Sequence, residues 1–257
     1  MSRRFFLPAI PPHIGAVVEL EEADNSEEIR HIRKSLRLRE GDLVTFVDGK
    51  GQAAEGEILS SSRERMSFTI RSLQKFDPPQ PRILLAQSLL KGQRMDWLVE
   101  KATELGLNAL IPAISDHSVA SEEDALKRNT RWERISQAAL KQSEGLFLPD
   151  LNGPIRLEEL VDQVKASQTQ GIYLDNRTGT LPLWECLSQA LGPKSSEARE
   201  LVLFVGPEGG FHSEEVLKFE DAGFLGASLG ESILRAETAA IAALAIAKHW
   251  LIADKHR

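Results

Sequence analysis

The 257-residue chain has few of the residues that crosslink a protein or anchor it in a membrane. Its lone cysteine, Cys186, cannot form an intrachain disulfide, which fits a reducing cytosol. The six histidines are scattered and form no spacing typical of zinc, so we expect no metal. The longest apolar run, residues 239–247, is far shorter than the roughly 20 residues of a membrane span and predicts a buried helix. Because the basic start also lacks the apolar stretch of a signal peptide, we expect a cytoplasmic protein without a membrane partner.

The net charge of −7 argues against a nucleic-acid partner, but the charge is unevenly distributed. Residues 1–75 contain twelve Lys or Arg and twelve Asp or Glu, so this part is neutral. Within it, the segment from Arg30 to Arg39 has five basic residues and no acidic one. Charge alone leaves two interpretations open: a solvated helix face, or a patch that attracts a phosphate backbone.

Residues 1–75 have the character of a small β-domain. Residues 42–48 alternate apolar and polar side chains, and the Asp48-Gly49-Lys50-Gly51 string that follows is typical of a hairpin turn. Residues 56–59 and 66–70 predict further short strands. The pattern therefore predicts a compact barrel of short strands.

A proline-rich segment, residues 76–81, predicts a stiff linker and a domain boundary. After it, residues 82–257 alternate predicted strands and helices, which indicates an α/β domain with a mostly parallel sheet. The predicted strands are 83–87, 109–114, 172–174, 201–205 and 225–229, and the predicted helices are 92–105, 130–142, 183–190, 213–222 and 237–252.

Two glycine-bearing loops near the end of the chain predict a ligand pocket. One is Val205-Gly206-Pro207-Glu208-Gly209-Gly210-Phe211, and the other runs from Leu229 to Thr238. Each follows an apolar run that predicts a buried strand and leads into a helix. Ligand sites of α/β sheets lie at the carboxyl ends of the strands, so we expect both loops at one pocket. The first loop alone favours a tight strand-to-helix turn without a ligand; the second loop beside it favours the pocket.

The first loop does not suit a nucleotide phosphate. A P-loop has Lys followed by Ser or Thr after its last glycine, whereas Phe211 and His212 follow Gly210, and the glycine spacing is not that of a dinucleotide-binding fold. Pro207 removes an amide donor, and an inward Glu208 would repel phosphate. The loop therefore favours a ligand without phosphate, and a cationic ligand in particular.

These loops resemble those of the SPOUT class of knotted RNA methyltransferases, and within it the ribosomal RNA small subunit methyltransferase E family. That family methylates N3 of a uridine near the decoding centre of 16S rRNA. Short matching strings occur in order over nearly the whole chain: Arg3-Arg4-Phe5-Phe6, His31-Ile32-Arg33, Leu36-Arg37-Leu38, Gly41-Asp42, Lys91-Gly92 to Met95, Glu100 to Gly106, Gln142-Ser143, Gly206 to Gly210 and Leu234 to Thr238.

The resemblance implies a fold, a cofactor and partners. The implied fold is α/β, with a PUA-like RNA-binding β-barrel over residues 1–75, the linker at 76–81, and a SPOUT domain over 82–257 that ends in a trefoil knot. The implied cofactor is S-adenosylmethionine, held in a bent shape against the partner subunit of a homodimer. The implied substrate is 16S rRNA of the small ribosomal subunit.

The resemblance also assigns binding residues, and no metal ligands. The cofactor-binding residues are Leu203, Phe204, Gly206, Pro207, Glu208, Gly209, Gly210, Leu229, Gly230, Ile233, Leu234 and Thr238. The RNA-binding residues are Arg3, Arg4, His31, Arg33, Lys34 and Arg37.

Arg235 and Glu237 are the candidate catalytic residues. Uridine N3 carries a proton at neutral pH, so the site must favour the uridinate; a fixed cation at Arg235 would stabilise the developing negative charge. Glu237 either accepts the proton or orients Arg235. Two simpler interpretations stay open: an acid in a helix's first turn is commonplace, and Arg235 could be a surface cation.

The sequence departs from the family at two places, each of which removes a cation. Glu144-Gly145-Leu146 stands where the family usually has Gly-Arg after Gln142-Ser143, and His117 stands where arginine is frequent. Two rival classes remain: a non-catalytic RNA-binding protein, and a SPOUT enzyme that methylates a ribose or a guanine. The strings at Gly206 to Gly210 and Leu234 to Thr238 argue against both.

Overall fold

The computed structural model describes residues 3–21, 29, 38–62, 65–118, 122–176, 180–192 and 200–254. Its contacts divide the chain into two units, Met1–Pro78 with Gln137–Leu148, and Pro79–Ser136 with Pro149–Arg257. From the sequence we placed residues 137–148 in the second domain. They join the first unit because the Gly51 amide donates to the Leu146 carbonyl and the Leu148 amide to the Gly49 carbonyl, at 3.0 and 2.8 Å.

The first unit is built on a five-stranded sheet. Antiparallel pairs join neighbouring strands, except that β1 runs parallel to β3. Alternation in β3 turns Val44 and Phe46 inward, and the Phe46 ring meets Phe68 edge-on at 5.1 Å between centroids. The three predicted strands are confirmed, although the bounds of each differ from the prediction by a few residues. The two strands nearest the N-terminus were not predicted. In the order β1-β3-β4-β5-β2 the strands are β1 (Arg4–Phe6), β2 (Val17–Glu21), β3 (Leu43–Val47), β4 (Gln52–Ser61) and β5 (Arg65–Lys75).

The second unit contains a parallel eight-stranded sheet, as the alternating pattern predicts. Its order is β11-β13-β10-β12-β6-β7-β8, with β9 also paired to β7. The two strands that precede the glycine loops, β12 and β13, therefore lie on either side of β10. The strands are β6 (Arg82–Ser88), β7 (Ala109–Ile114), β8 (Asp150–Leu151), β9 (Ile155–Arg156), β10 (Gln170–Leu174), β11 (Leu181–Pro182), β12 (Glu200–Val205) and β13 (Leu225–Ser228).

Helices cover both faces of this sheet. They are α1 (Arg94–Glu104), α2 (Glu122–Gln142), α3 (Leu157–Ala166), α4 (Leu183–Leu191), α5 (Ser213–Asp221) and α6 (Ala236–Asp254). Apolar residues of α1, α4 and α6 form one core with Leu203, and those of α3 and α5 form another with Phe204. Successive side chains of a strand point to opposite faces, which explains why Leu203 and Phe204 belong to different cores.

Helix α6 contains the apolar run that predicted a buried helix. Ala240, Ala243, Leu244 and Ala247 are fully buried, whereas the remaining face of the helix is only partly covered. By length and hydropathy alone, Ala236–Ala253 also meets the criterion for a membrane span, as core helices often do.

Candidate active site

A cavity of about 520 Å³ lies at the carboxyl ends of β10, β12 and β13. Both glycine loops border it, which confirms that they share one pocket. The lining residues are 174–176 at the end of β10, 205–208, 210 and 211 at the end of β12, and 227, 229 and 232–236 at the end of β13, with Arg94 of α1 and Ala239 of α6. Two of the predicted cofactor-binding glycines, Gly209 and Gly230, are not among them.

Most of the predicted cofactor-binding residues line this cavity. The lining set contains Gly206, Pro207, Glu208, Gly210, Leu229, Ile233 and Leu234, together with the candidate catalytic Arg235. Leu203 and Phe204 are instead fully buried in β12, where they build the two cores. Thr238 and Glu237 border a second cavity, described below.

The first loop folds back on itself, so that the position of a side chain at Gly206 is crowded. The Gly210 amide donates to the Pro207 carbonyl at 2.9 Å, and Gly210 has φ +71, a left-handed conformation that favours glycine. A Cβ at Gly206 would lie 3.3 Å from backbone atoms of Gly210 and Phe211. The fully buried Gln87 amide donates to the Val205 and Gly206 carbonyls at 3.3 and 3.2 Å and so fixes the loop where it leaves the strand.

Two residues outside the glycine string hold the other end of this loop. His117 packs against Gly209, and its Nδ1 lies 3.1 Å from the Gly210 carbonyl. The buried Glu215 carboxylate accepts from the Asp116 amide at 2.9 Å and from the His212 amide at 2.7 Å. His117, which stands where the family frequently has arginine, thus supports the loop in this chain.

The same contacts also fix the start of helix α5. His212 is the N-cap: its Nδ1 accepts from the Glu214 amide at 3.4 Å, while Glu215 completes a capping box. Ser213 is the first helical residue.

The second loop carries exposed apolar side chains. Gly230 has φ +124, and its amide donates to the Ser228 hydroxyl at 3.1 Å. Ile233 is 90% exposed and Leu234 is also exposed, although both border the cavity. Large apolar side chains that are exposed beside a cavity are typical of surfaces that a ligand or another protein chain buries.

A charged network connects helix α1 to both loops. Arg94 Nη1 lies 2.6 Å from Glu208 Oε1, and Arg94 Nε lies 3.9 Å from Glu237 Oε1. The Glu237 side chain is only 12% exposed, and its Oε2 is buried without a hydrogen-bond partner among the described residues. A buried acceptor without a partner is rare, so this oxygen is suited to a ligand's proton.

Arg94, Asp175 and Asn176 line the cavity but were not predicted as site residues. Arg94 lies within the Lys91-Gly92 to Met95 string, which carried the resemblance but no assigned role. Asp175 and Asn176 directly follow the predicted strand at 172–174. Polar residues at the carboxyl end of a strand are typical of a ligand site, so their position in the sequence could have predicted them.

The second cavity, of about 550 Å³, lies beside the first. Arg94 and Arg235 border both cavities, so the candidate catalytic arginine stands between them. The second cavity is lined by Lys91, Gly92, Gln93, Arg94, Trp97, Arg235, Glu237 and Thr238.

Of the predicted RNA-binding residues, the structure describes only Arg3 and Arg4. Arg3 lies 3.8 Å from Asp42 in an exposed ion pair. Arg4 donates to the carbonyls of Glu144 and Gly145, so it tethers the segment that replaces the family's Gly-Arg. His31, Arg33, Lys34 and Arg37 lie outside the described residues. Within the described ranges, no group of His, Cys, Asp or Glu could hold a metal ion.

Comparisons with known proteins agree with this architecture. The profile of the RNA methyltransferase domain matches residues 77–248, and that of the RNA methyltransferase PUA domain matches residues 24–71. Ribosomal RNA small subunit methyltransferase E of Bacillus subtilis is 28% identical over 235 residues, which cover 88% of this chain and 90% of that protein.

Two solved structures are similar over almost their whole length. Ribosomal RNA small subunit methyltransferase E from Neisseria gonorrhoeae, bound to S-adenosyl methionine, superposes with a TM-score of 0.79 at 31% identity and covers 95% of this chain and 96% of its own. A Legionella pneumophila protein in complex with the same bound cofactor gives a TM-score of 0.79 at 27% identity, covering 97% and 98%.

These matches confirm the predicted PUA-like domain followed by an α/β methyltransferase domain. The chain therefore belongs to the RNA methyltransferase family that includes ribosomal RNA small subunit methyltransferase E.

Proposed function

We propose that this protein transfers the methyl group of S-adenosylmethionine to N3 of a uridine in 16S rRNA of the small ribosomal subunit. The observation that carries the proposal is the cavity at the ends of β10, β12 and β13, beside Arg235 and Glu237. The printed names of the relatives support the cofactor and the ribosomal RNA, and the resemblance of the Leu234 to Thr238 string supports the uridine.

The residues present fit this cofactor. The cavity has the size and the mostly apolar lining of a small-molecule site, with a few polar groups. At Gly210, which lines the cavity, a Cβ would meet no protein atom within 4 Å, so its absence leaves open space beside the backbone. The Asp175 and Glu208 carboxylates suit a ligand that carries positive charge. When bound, S-adenosylmethionine supplies a methyl group activated on a sulfonium.

Arg235 and Glu237 have different roles in the reaction of the uridine. Arg235 is exposed, and among the described residues its guanidinium makes no ion pair, so it is available to stabilise negative charge on a uracil oxygen. The partnerless Oε2 of Glu237 accepts the N3 proton. Arg94, which contacts Glu208 and Glu237, orients both carboxylates.

We also propose, from the family, the trefoil knot, the homodimer and a cytoplasmic location. The family also supports the sequence domains 1–75 and 82–257 joined by the linker 76–81, with residues 137–148 of the second domain grouped by their contacts with the first unit. The partly covered face of α6 and the 90% exposed Ile233 support a homodimer, because both present apolar surface that a second copy would bury.

Transfer of tritiated methyl groups tests the reaction. The protein is incubated with labelled S-adenosylmethionine and either a 16S rRNA transcript or small subunits that lack the modification, and the RNA is digested to nucleosides. We expect label in 3-methyluridine. Label in a ribose or a guanine would identify a different RNA methyltransferase, and cofactor binding without transfer to either substrate would identify a non-catalytic protein.

A further inference from the structure

We infer that the second cavity is the binding site for the target nucleobase, and that Trp97 is the surface on which this base stacks. The inference rests on the proposed function, since it supplies the place where a uracil meets Arg235 and Glu237. A base inside folded RNA is inaccessible to chemistry at N3, so the enzyme must hold it extruded from its stack.

Trp97 is exposed where a stacking surface is needed. Its side chain lies on the first turn of α1 and is 42% exposed, whereas Trp132 and Trp250 are almost fully buried in the core. It borders the second cavity, which has room for a pyrimidine base. Aromatic side chains bind extruded bases because every base has a flat face that stacks on them.

The polar lining suits the pairing edge of uracil. That edge presents an oxygen, the N3 proton and a second oxygen, so a matching site offers a donor, an acceptor and a donor. Glu237 provides the acceptor through its buried, partnerless Oε2, and Arg94 and Arg235 provide donors. Cytosine, with an acceptor at N3, would face the Glu237 carboxylate with a second acceptor. The lining therefore favours uracil over cytosine.

The position of this cavity suits transfer between two ligands. Arg94 and Arg235 border both cavities, so a base on Trp97 lies next to the ligand of the first cavity. Lys91 at the rim is exposed and makes no ion pair with another described residue, which leaves its ammonium available for a phosphate.

A double-mutant cycle between protein and RNA tests the stacking. The wild-type protein, Trp97→Ala, Trp97→Phe and the control Trp184→Ala are measured for binding to two RNA hairpins. One hairpin contains the uridine that wild-type protein methylates, and the other has an abasic ribose there. Trp184 is a matched control because it is 40% exposed and borders neither cavity described above.

We expect Trp97→Ala to weaken binding of the uridine hairpin by roughly 10-fold to 100-fold, as for loss of one base–aromatic stack. Trp97→Phe should restore most of the affinity. The abasic hairpin should bind equally well to wild type and Trp97→Ala, and Trp184→Ala should discriminate between the hairpins as wild type does. Calorimetry should show unchanged S-adenosylmethionine affinity in every variant.

Failure of this inference is distinguishable from failure of the proposed function. If wild-type protein methylates the uridine hairpin but Trp97→Ala binds both hairpins as wild type does, the base site is elsewhere. Equal weakening toward both hairpins would also overturn stacking, since the effect would not depend on the base. If wild-type protein methylates no RNA, the proposed function is wrong, and the base site that rests on it is wrong as well.

Discussion

Arg94 contacts carboxylates at both cavities, Glu208 at the first and Glu237 at the second. Its ion pair with Glu208 is partly exposed on both sides, at 40% and 31%, and pairs of this kind contribute only about 0–1 kcal/mol to stability. A positively charged ligand can therefore replace the guanidinium at Glu208 at little cost. Arg94 would then keep its contact with Glu237, on the side of the second cavity.

Replacement of Arg235 should slow the chemical step itself. We predict that Arg235→Ala lowers the single-turnover methylation rate by roughly 100-fold, the scale for loss of one preorganised electrostatic group. Arg235→Lys should recover part of the rate, because lysine keeps the charge and loses the planar fork. If the cation favours the uridinate, the deficit of the alanine variant should shrink as pH rises. A deficit that is constant with pH would mean that Arg235 only positions a ligand.

Replacement of Glu237 distinguishes a catalytic base from an acidic side chain that only stabilises the start of a helix. We predict that Glu237→Gln lowers the single-turnover rate by roughly 100-fold or more, since the amide cannot accept the N3 proton. Glu214→Gln is the matched control, because Glu214 also lies in a helix's first turn, in α5. Similar rates in both variants would reduce Glu237 to a favourable charge at the start of α6.

At the scale of elements, the turn after β12 depends on the missing side chain at Gly206. We predict that Gly206→Ala lowers cofactor affinity at least 10-fold, because the new Cβ would lie 3.3 Å from backbone atoms of Gly210 and Phe211 and displace the loop. Gly153→Ala is the control, since a Cβ there meets nothing within 4 Å. Calorimetric titration with S-adenosylmethionine, on variants with matched melting temperatures, measures the difference. Equal affinities would show that the loop tolerates the displacement.

The elements most readily predicted from the sequence are those with long apolar runs or clear periodicity. Strand β7 was predicted with the bounds observed, and β12 to within one residue, because each is a continuous apolar run. Strand β1, with three residues, is too short to show alternation. Helix α3 was not predicted, although Leu157, Leu160, Val161 and Val164 follow the helical spacing and are all buried.

The order of strands in the sheet is what local patterns could not supply. Both glycine loops were predicted at one pocket, but β10 lies between β12 and β13 and adds Asp175 and Asn176 to it. Likewise, Arg94 reaches Glu208 across 114 positions of sequence. Such contacts depend on how helices and strands pack in three dimensions, so they cannot be predicted from the spacing of residues along the chain.

At the scale of the whole molecule, the negative net charge requires a local basic surface for RNA binding. The segment from Arg30 to Arg39 supplies one in the sequence, and its residues 30–37 lie outside the described ranges. We predict that Arg33→Ala with Arg37→Ala weakens RNA binding and lowers the salt dependence by roughly one phosphate contact per arginine. Cofactor affinity should not change.

A second double variant controls for the change in net charge. Arg65→Ala with Arg71→Ala removes two arginines that already pair with carboxylates, Arg65 with Glu19 and Glu21, and Arg71 with Glu57. Binding isotherms at several salt concentrations should therefore change little for this pair. If the salt dependence of RNA affinity decreases equally in both double variants, the decrease is caused by the change in net charge. The Arg30 to Arg39 segment would then be solvated surface that does not contact RNA.

The pairing of β6 with β12 also determines when in its own synthesis the enzyme becomes active. Gln87 and Val205, which touch across these strands, are 118 residues apart, and the cavity lining extends from Arg94 to Ala239. A chain emerges from the ribosome with its N-terminus first, so β6 leaves the exit tunnel long before its partner exists. The complete cavity can therefore form only after Ala239 has been synthesised and has left the exit tunnel.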